Sequence, residues 1–349
     1  MYVYISEYFY TVLNATIALE IMKASTQEKL KRASKVLLEL IVIVIVASVA
    51  ASFASQAAFP RLATVELSEE DYWQGQEDST KPLAKQSETV LDAEVTAEEV
   101  LLPTFSPPAV SAKSYIVADI VTGEIFAQKN PIDVFPIASI TKLMTAVLAS
   151  ETIDANSQIV VSAEAAETYG AAGGLRAGDV LTLESLYYPL LLESSNDAAV
   201  AIAEHADFTR FLGLMNRKAL VLDMGSTRFR DPSGLADENT SSARDLVQLA
   251  RYIYAKKPFI LDLTTKQQAL APRANSDALH NFTNNNPMVG RSDFLGGKNG
   301  YTDKARRTLL SIFTSEIAGE KRDVVIIVLG SETHSADTLA LLLWLSRAF

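Results

Sequence analysis

Thr308-Leu-Leu-Ser-Ile-Phe313, a turn at Ala318-Gly-Glu-Lys321, then Asp323-Val-Val-Ile-Ile-Val-Leu329: this late stretch decides the fold. Two runs rich in β-branched and apolar residues, joined through a glycine, read as paired strands. A second hairpin signal stands far upstream. There Ser114-Tyr-Ile-Val-Ala-Asp-Ile-Val121 leads through Thr122-Gly123 into Glu124-Ile-Phe-Ala-Gln128. Between the two hairpins, from Ser139 to about Lys257, the apolar period changes to that of helices. Ile140, Leu143, Met144, Val147 and Leu148 share one face, and Leu183–Leu192 and Ala198–Ala206 read as buried helices. Ser242–Ala255 carries Leu246, Leu249 and Ile253 on one side, and a last helix spans Asp337–Leu345. Strands at both ends of a helical middle predict an α/β fold of the α+β kind. One antiparallel sheet is built from the N- and C-terminal segments, with flanking helices and a helical subdomain.

Composition narrows the function classes. The chain has 349 residues, 48% of them apolar and 21% charged, enough for one ordinary core plus an anchor or tail. Its formal charge of −11 argues against nucleic acid as a partner, which needs a basic footprint. With no cysteine there is no disulfide, no thiolate metal site and no thiol nucleophile. His205, His280 and His334 are scattered without ligand spacing, so neither a metal nor any other cofactor is expected.

The N-terminal third points to a membrane. Residues 40–59 carry no charge over twenty positions, a helix of about 30 Å, which matches the hydrocarbon core. Lys23, Lys29, Lys31, Arg32 and Lys35 precede the run, and such flanks stay cytoplasmic. The expected organisation is a cytoplasmic segment at 1–39, a transmembrane helix or signal anchor at 40–59, a linker at 60–110, and a globular domain at 111–349 outside the cell membrane. Ser52-Phe-Ala54 and Ser55-Gln-Ala57 resemble cleavage sites, which would release the domain as a secreted protein, and Tyr8–Met22 is apolar enough for a second span or an interfacial helix. The linker has eleven acidic residues against Arg61, Lys81 and Lys85, with prolines at 60, 82, 103, 107 and 108. That composition favours an extended tether.

Three short motifs lie on this frame. In Ser139-Ile-Thr-Lys142, residues three apart share a helix face, so the Lys142 amine reaches the Ser139 hydroxyl. A serine needs a base to become a nucleophile, and a desolvated lysine can be that base. Alone, the spacing is usually a cap and a surface lysine. Ser194-Ser-Asn196 stands at a break between apolar helices, where it could relay protons and hold a carbonyl, or simply cap a helix. In Gly297-Lys-Asn-Gly-Tyr-Thr302, Lys298 offers a cation for a carboxylate, and Gly300 allows a substrate backbone to come close. A phosphate loop is excluded, because Ser292 occupies the position where that loop needs a glycine.

In this order the motifs resemble the serine penicillin-binding enzymes and β-lactamases, whose signature is Ser-x-x-Lys, Ser-x-Asn and Lys-Thr-Gly. Ala118–Ile125, Pro136–Thr145, Ser194–Ala199, Asp231-Pro-Ser-Gly-Leu235, Ser242–Leu246 and Gly300–Ala305 are similar to the low-molecular-mass D-alanyl-D-alanine carboxypeptidases and endopeptidases, over roughly residues 112–349. The resemblance implies a β-lactamase/transpeptidase-like fold, a peptidoglycan stem peptide ending in D-Ala-D-Ala as substrate, and β-lactam antibiotics as inhibitors. It makes Ser139 the nucleophile, Lys142 its base and Ser194 a proton relay. Asn196 would hold the substrate amide and Lys298 its carboxylate, with Asn299 and Gly300 in the binding strand. The backbone amides of Ser139 and Tyr301 would form the oxyanion hole.

Two departures bear on activity. Asn299 stands where the family has threonine. The chain also continues past its last strand by one helix only, so anchoring is assigned to the N-terminus. The alternatives are an endopeptidase cutting cross-links, a weakly active penicillin-binding relative that holds peptidoglycan, and a β-lactamase. The last is disfavoured because Asp231–Asn239 lacks the glutamate-directed water pattern of the class A type.

Overall fold

The computed structural model describes residues 105–349 except 171–172 and 273–278. The run 40–59, the segment Tyr8–Met22 and the linker up to residue 104 lie outside the described residues. Among the described residues no helix is long and apolar enough to cross a membrane. In chain order the elements are β1 (Ser114–Asp119), β2 (Ile125–Lys129), β3 (Phe135–Pro136), a 3-10 turn (Ala138–Ile140), α1 (Thr141–Thr152), β4 (Gln158–Val160) and α2 (Ala163–Ala166). Then come β5 (Val180–Thr182), α3 (Leu183–Leu191), α4 (Asn196–His205), α5 (Phe208–Val221), β6 (Thr240–Ser241), α6 (Ala243–Lys256) and α7 (Pro258–Thr265). The chain closes with β7 (Gln268–Pro272), β8 (Leu279–Thr283), β9 (Phe294–Thr302), β10 (Arg306–Ile317), β11 (Glu320–Ser331) and α8 (His334–Ala348).

The main sheet has the order β2-β1-β11-β10-β9, with every neighbouring pair antiparallel. It joins the two ends of the domain, as the two distant hairpins imply. Ser114 pairs with Leu329 and Asp119 with Val324. The continuous apolar run of β11 has a direct cause, since the sheet is buried on both faces. Val324, Ile326 and Val328 join Val117, Leu309 and Phe313 beneath Leu341, Trp344 and Leu345 of α8. Val325, Ile327 and Leu329 join Ile116, Leu310 and Ile312 beneath the helices, where Leu143 and Val147 of α1 and Leu246, Leu249 and Ile253 of α6 lie. Each such fully buried aliphatic side chain contributes about 1.5–3 kcal/mol.

Two local expectations change. The helix anticipated from Ser139 begins at Thr141, and Ser139 itself lies in the 3-10 turn before it. Ala138 has a left-handed backbone, φ 48°, and the 3-10 turn it opens takes in Ser139 and Ile140 before the α-helix begins. The β7–β8 hairpin was not anticipated. Its buried face is carried by Ala269, Ala271, His280 and Phe282, while the leucines Leu270 and Leu279 are exposed, so the apolar pattern in the sequence runs against the burial.

Candidate active site

Ser139 is held by a chain of backbone braces. β3 pairs with β6, Phe135 opposite Ser241, and the Ile137 N–H donates to the Asn239 carbonyl at 2.9 Å. The Ile137 carbonyl in turn accepts from the Thr308 hydroxyl of β10 at 3.1 Å. Gly300 of β9 lies directly against this turn. A Cβ there would stand 2.7 Å from the Ser139 backbone nitrogen, so only glycine lets the strand and the serine come this close. On the other side Gly234, at φ +87°, packs against Ala138, whose carbonyl oxygen would be 2.0 Å from an added Cβ.

One turn into α1, Lys142 is fully buried. Its Nζ stands 2.9 Å from the Ser139 Oγ, 2.7 Å from the Asn196 Oδ1 and 2.6 Å from the Ser233 carbonyl oxygen. A neutral amine has two N–H groups and one lone pair. The two pure acceptors, Asn196 Oδ1 and the Ser233 carbonyl, take the two N–H groups and leave the lone pair for the serine hydroxyl. The electrostatics favour the same state. Burial pushes the Lys142 amine well below the usual lysine range, the Lys298 cation pushes the same way, and Asp231 and Asp197 oppose them.

The remaining motif residues divide. Ser195 caps α4, its Oγ accepting from the Ala198 N–H at 3.0 Å, so capping applies to that serine. Ser194 precedes it in a left-handed conformation, φ 64°, partly exposed, and its hydroxyl bonds to none of the described residues. The structure thus places Ser194 outside the hydrogen-bonded cluster. Asn196 is fully engaged: besides Lys142, its Nδ2 donates to the Tyr169 carbonyl at 2.8 Å.

Lys298 is buried on β9, and burial pushes its amine down to about 7. It donates to the Asn299 carbonyl at 3.0 Å and reaches the Asn299 Oδ1 at 3.4 Å. The Asn299 side chain is partly exposed, and its Nδ2 makes only a long contact, 3.4 Å, to the Asn285 carbonyl. α7 steadies the strand, because the Gly297 N–H donates to the Thr264 hydroxyl at 3.0 Å. The Tyr301 side chain turns outward, its hydroxyl on Asp303 at 2.9 Å with the Arg307 guanidinium over its ring.

The turn Asp231–Ala236 supplies parts that no sequence role had been given. The Asp231 carboxylate accepts from the N–H groups of Ser233, Gly234 and Ala236, the Ser233 hydroxyl and the Asn239 amide, all at 2.6–2.7 Å. Burial would raise its pKa, but these donors hold it below the ordinary carboxylate value. The loop so fixed aims the Ser233 carbonyl at Lys142. Asp-Pro-Ser-Gly is a readable turn signal. The acceptor is a backbone oxygen, however, and side-chain identity does not show one. Among the described residues no group of three or more His, Asp or Glu could hold a metal ion.

Comparison with known proteins bears on the family and the fold. The family model for D-alanyl-D-alanine carboxypeptidases matches residues 103–333. The chain is 30% identical over 263 residues to a D-alanyl-D-alanine endopeptidase of Escherichia coli, covering 72% of this chain and 83% of that one. It is 32% identical over 228 residues to a D-alanyl-D-alanine carboxypeptidase of Mycobacterium tuberculosis, covering 63% and 75%. A solved D-alanyl-D-alanine carboxypeptidase structure from that organism superposes with a TM-score of 0.63 at 28% identity, over 70% of this chain and 94% of the other. The Streptomyces K15 DD-transpeptidase, 22% identical, shares the fold with a TM-score of 0.63, over 69% of this chain and 98% of its own.

Proposed function

The chain belongs to the D-alanyl-D-alanine carboxypeptidase family, and we propose that it cleaves the D-Ala–D-Ala bond of peptidoglycan stem peptides through an acyl-enzyme on Ser139. One observation carries the assignment of roles: the buried Lys142 Nζ lies 2.9 Å from the Ser139 Oγ and also within hydrogen-bond distance of two pure acceptors, the Asn196 Oδ1 and the Ser233 carbonyl oxygen. As the Oγ attacks the carbonyl carbon, its proton passes to the Lys142 Nζ. The carbonyl oxygen gathers negative charge and is met by the backbone N–H groups of Ser139 and Tyr301. Collapse breaks the C–N bond. The proton moves from Lys142 to the departing D-alanine amine; the family resemblance gives Ser194 the relay, for which its hydroxyl would have to turn toward Lys142 from its place outside the cluster. Water then releases the acyl group. Lys298 and Asn299 receive the carboxylate of the leaving residue. β-lactams would form the same serine ester and stay attached.

A second reading, cleavage inside cross-links, is favoured by the Asn299 side chain. Its Oδ1 and carbonyl oxygen both face the Lys298 amine and compete with a substrate carboxylate for it. Threonine would keep the backbone carbonyl but replace the amide oxygen with a hydroxyl that can donate to the carboxylate, and it is stiff at χ1. Asn299→Thr should raise hydrolysis of a peptide ending in D-Ala-D-Ala by roughly 5- to 150-fold, the value of one well-aimed bond to a charged group. Cleavage of cross-linked dimers should rise less. Slower carboxypeptidase turnover in the variant would reject this account of the position.

The apolar run 40–59 and its five preceding basic residues support a membrane-anchored enzyme whose peptidase domain faces the cell wall. A reporter enzyme active only outside the cytoplasm, fused after Phe349, should be active. A fusion active only in the cytoplasm refutes the topology.

A further inference from the structure

In a chain of formal charge −11, Lys304, Arg306 and Arg307 stand within four positions at the turn from β9 into β10, and all three are exposed. Among the described residues neither guanidinium has a hydrogen-bond or ion-pair partner. Arg307 lies over the Tyr301 ring, 5.4 Å from its centroid, which holds that cation in place. Arg306 has a left-handed backbone, φ 56°, a conformation that glycine adopts without strain and a long side chain does not. No contact of its side chain within the fold offsets that strain. Together with Tyr301, Ser331 and Glu332, the two arginines line a cavity of about 170 Å³, room for a carboxylate and a few waters. The Ser331 Oγ already donates to Asp337 at 2.6 Å and the Tyr301 hydroxyl to Asp303 at 2.9 Å, so the guanidinium groups are the side-chain donors left for a ligand. Glu332 is the one acidic lining residue against them.

We propose that this cavity is a subsite for the acyl half of the substrate, where Arg306 and Arg307 bind a carboxylate carried by a residue upstream of the scissile bond. The inference rests on the peptidase reading and adds a substrate preference to it. β9 is the outer strand of the main sheet, so an extended peptide can pair along its free edge. On that reading Lys298 and Asn299 receive the carboxylate of the leaving residue, and Gly300 lies against Ser139. The acyl half therefore runs on past Tyr301 toward Thr302. Tyr301 pairs with Arg307, and Thr302 with Arg306. At about 3.3 Å per residue, Thr302 stands roughly 7 Å beyond Gly300, beside about the second residue of the acyl half. A guanidinium meets both oxygens of a carboxylate through paired N–H groups, whereas a neutral amide offers it a single oxygen and no charge.

The test compares two peptides ending in D-Ala-D-Ala, one with a carboxylate on the side chain of the second residue before the scissile bond, the other its amide twin. The wild type should favour the carboxylate peptide about fivefold in kcat/KM at low salt, and the preference should shrink at about 1 M salt, where exposed charges are screened. Arg306→Gly removes the cation and relieves the left-handed strain. Its melting temperature should hold or rise while the preference falls toward one, so lost folding cannot account for the change. Arg307→Gln should lower the preference as well, and Glu332→Gln should raise it. A wild-type ratio near one, or a ratio unchanged in both arginine variants, overturns the proposal. If the wild type hydrolyses neither peptide, it is the peptidase reading that fails, and the subsite with it.

Discussion

Ser139→Ala forms no covalent adduct with penicillin and releases no D-alanine, while its melting temperature stays close to that of the wild type. The hydroxyl is partly exposed, and its contact in the folded chain is Lys142, so removing it opens no core cavity. Lys142→Ala is the companion variant. Acylation should fall by roughly 10²-fold or more, the scale of a lost general base, and the Asn196 Oδ1 and Ser233 carbonyl lose their donor as well. Intact-protein mass spectrometry after timed exposure reads both effects. An adduct on Ser139→Ala would falsify the nucleophile; near-normal acylation without Lys142 would place the base elsewhere.

Gly234→Ala should be nearly as damaging, although residue 234 touches no substrate. Two costs can be separated there. The backbone conformation, φ +87°, costs any L side chain roughly 1–2 kcal/mol. The contact is the larger cost. The new methyl carbon would lie 2.0 Å from the Ala138 carbonyl oxygen and 3.0 Å from the Ser139 nitrogen, both backbone atoms that cannot swing aside. The Ser139 turn must move, and a displacement of about 1 Å in a reacting group costs on the order of 10²-fold in rate. Gly319 is the control. It has φ +81°, but nothing lies within 4 Å of an added Cβ. Gly319→Ala should therefore show the conformational cost alone, a modest loss of stability with acylation unchanged. If Gly234→Ala behaves like Gly319→Ala, the turn is more compliant than its packing indicates.

The sheet was legible because its strands carry their burial in the sequence. Val324–Leu329 is apolar at every position since both faces are covered, and Ser114–Asp119 pairs with it across the length of the domain. The β7–β8 hairpin was not legible, because Ala269, Ala271 and His280 share its inward face with Phe282 while Leu270 and Leu279 point out, which inverts the alternation the sequence shows. At the site, side chains with a fixed spacing could be found. Ser139 and Lys142 lie three apart and touch. The parts that tune them could not be found in the same way. Two are backbone carbonyls, of Ser233 and Tyr169. One is a carboxylate, Asp231, whose importance lies in the loop it ties together. Ser194 was legible as part of a motif, yet its hydroxyl stands apart from the cluster, since the left-handed backbone at that residue directs the chain into the cap at Ser195.

The pairing of β1 with β11 also fixes an order of assembly. β11 occupies the middle of the five strands, and it is the last of them to be synthesised. The β1–β2 ribbon exists from the start, but a lone two-stranded ribbon is marginal in water and must wait for its partner. Contacts this distant along the chain form slowly. Until the final strand arrives, the helical middle has no sheet to rest on, and the serine turn, braced by Thr308 of β10, has no fixed position. The catalytic serine is therefore assembled only once nearly all of the domain has been made.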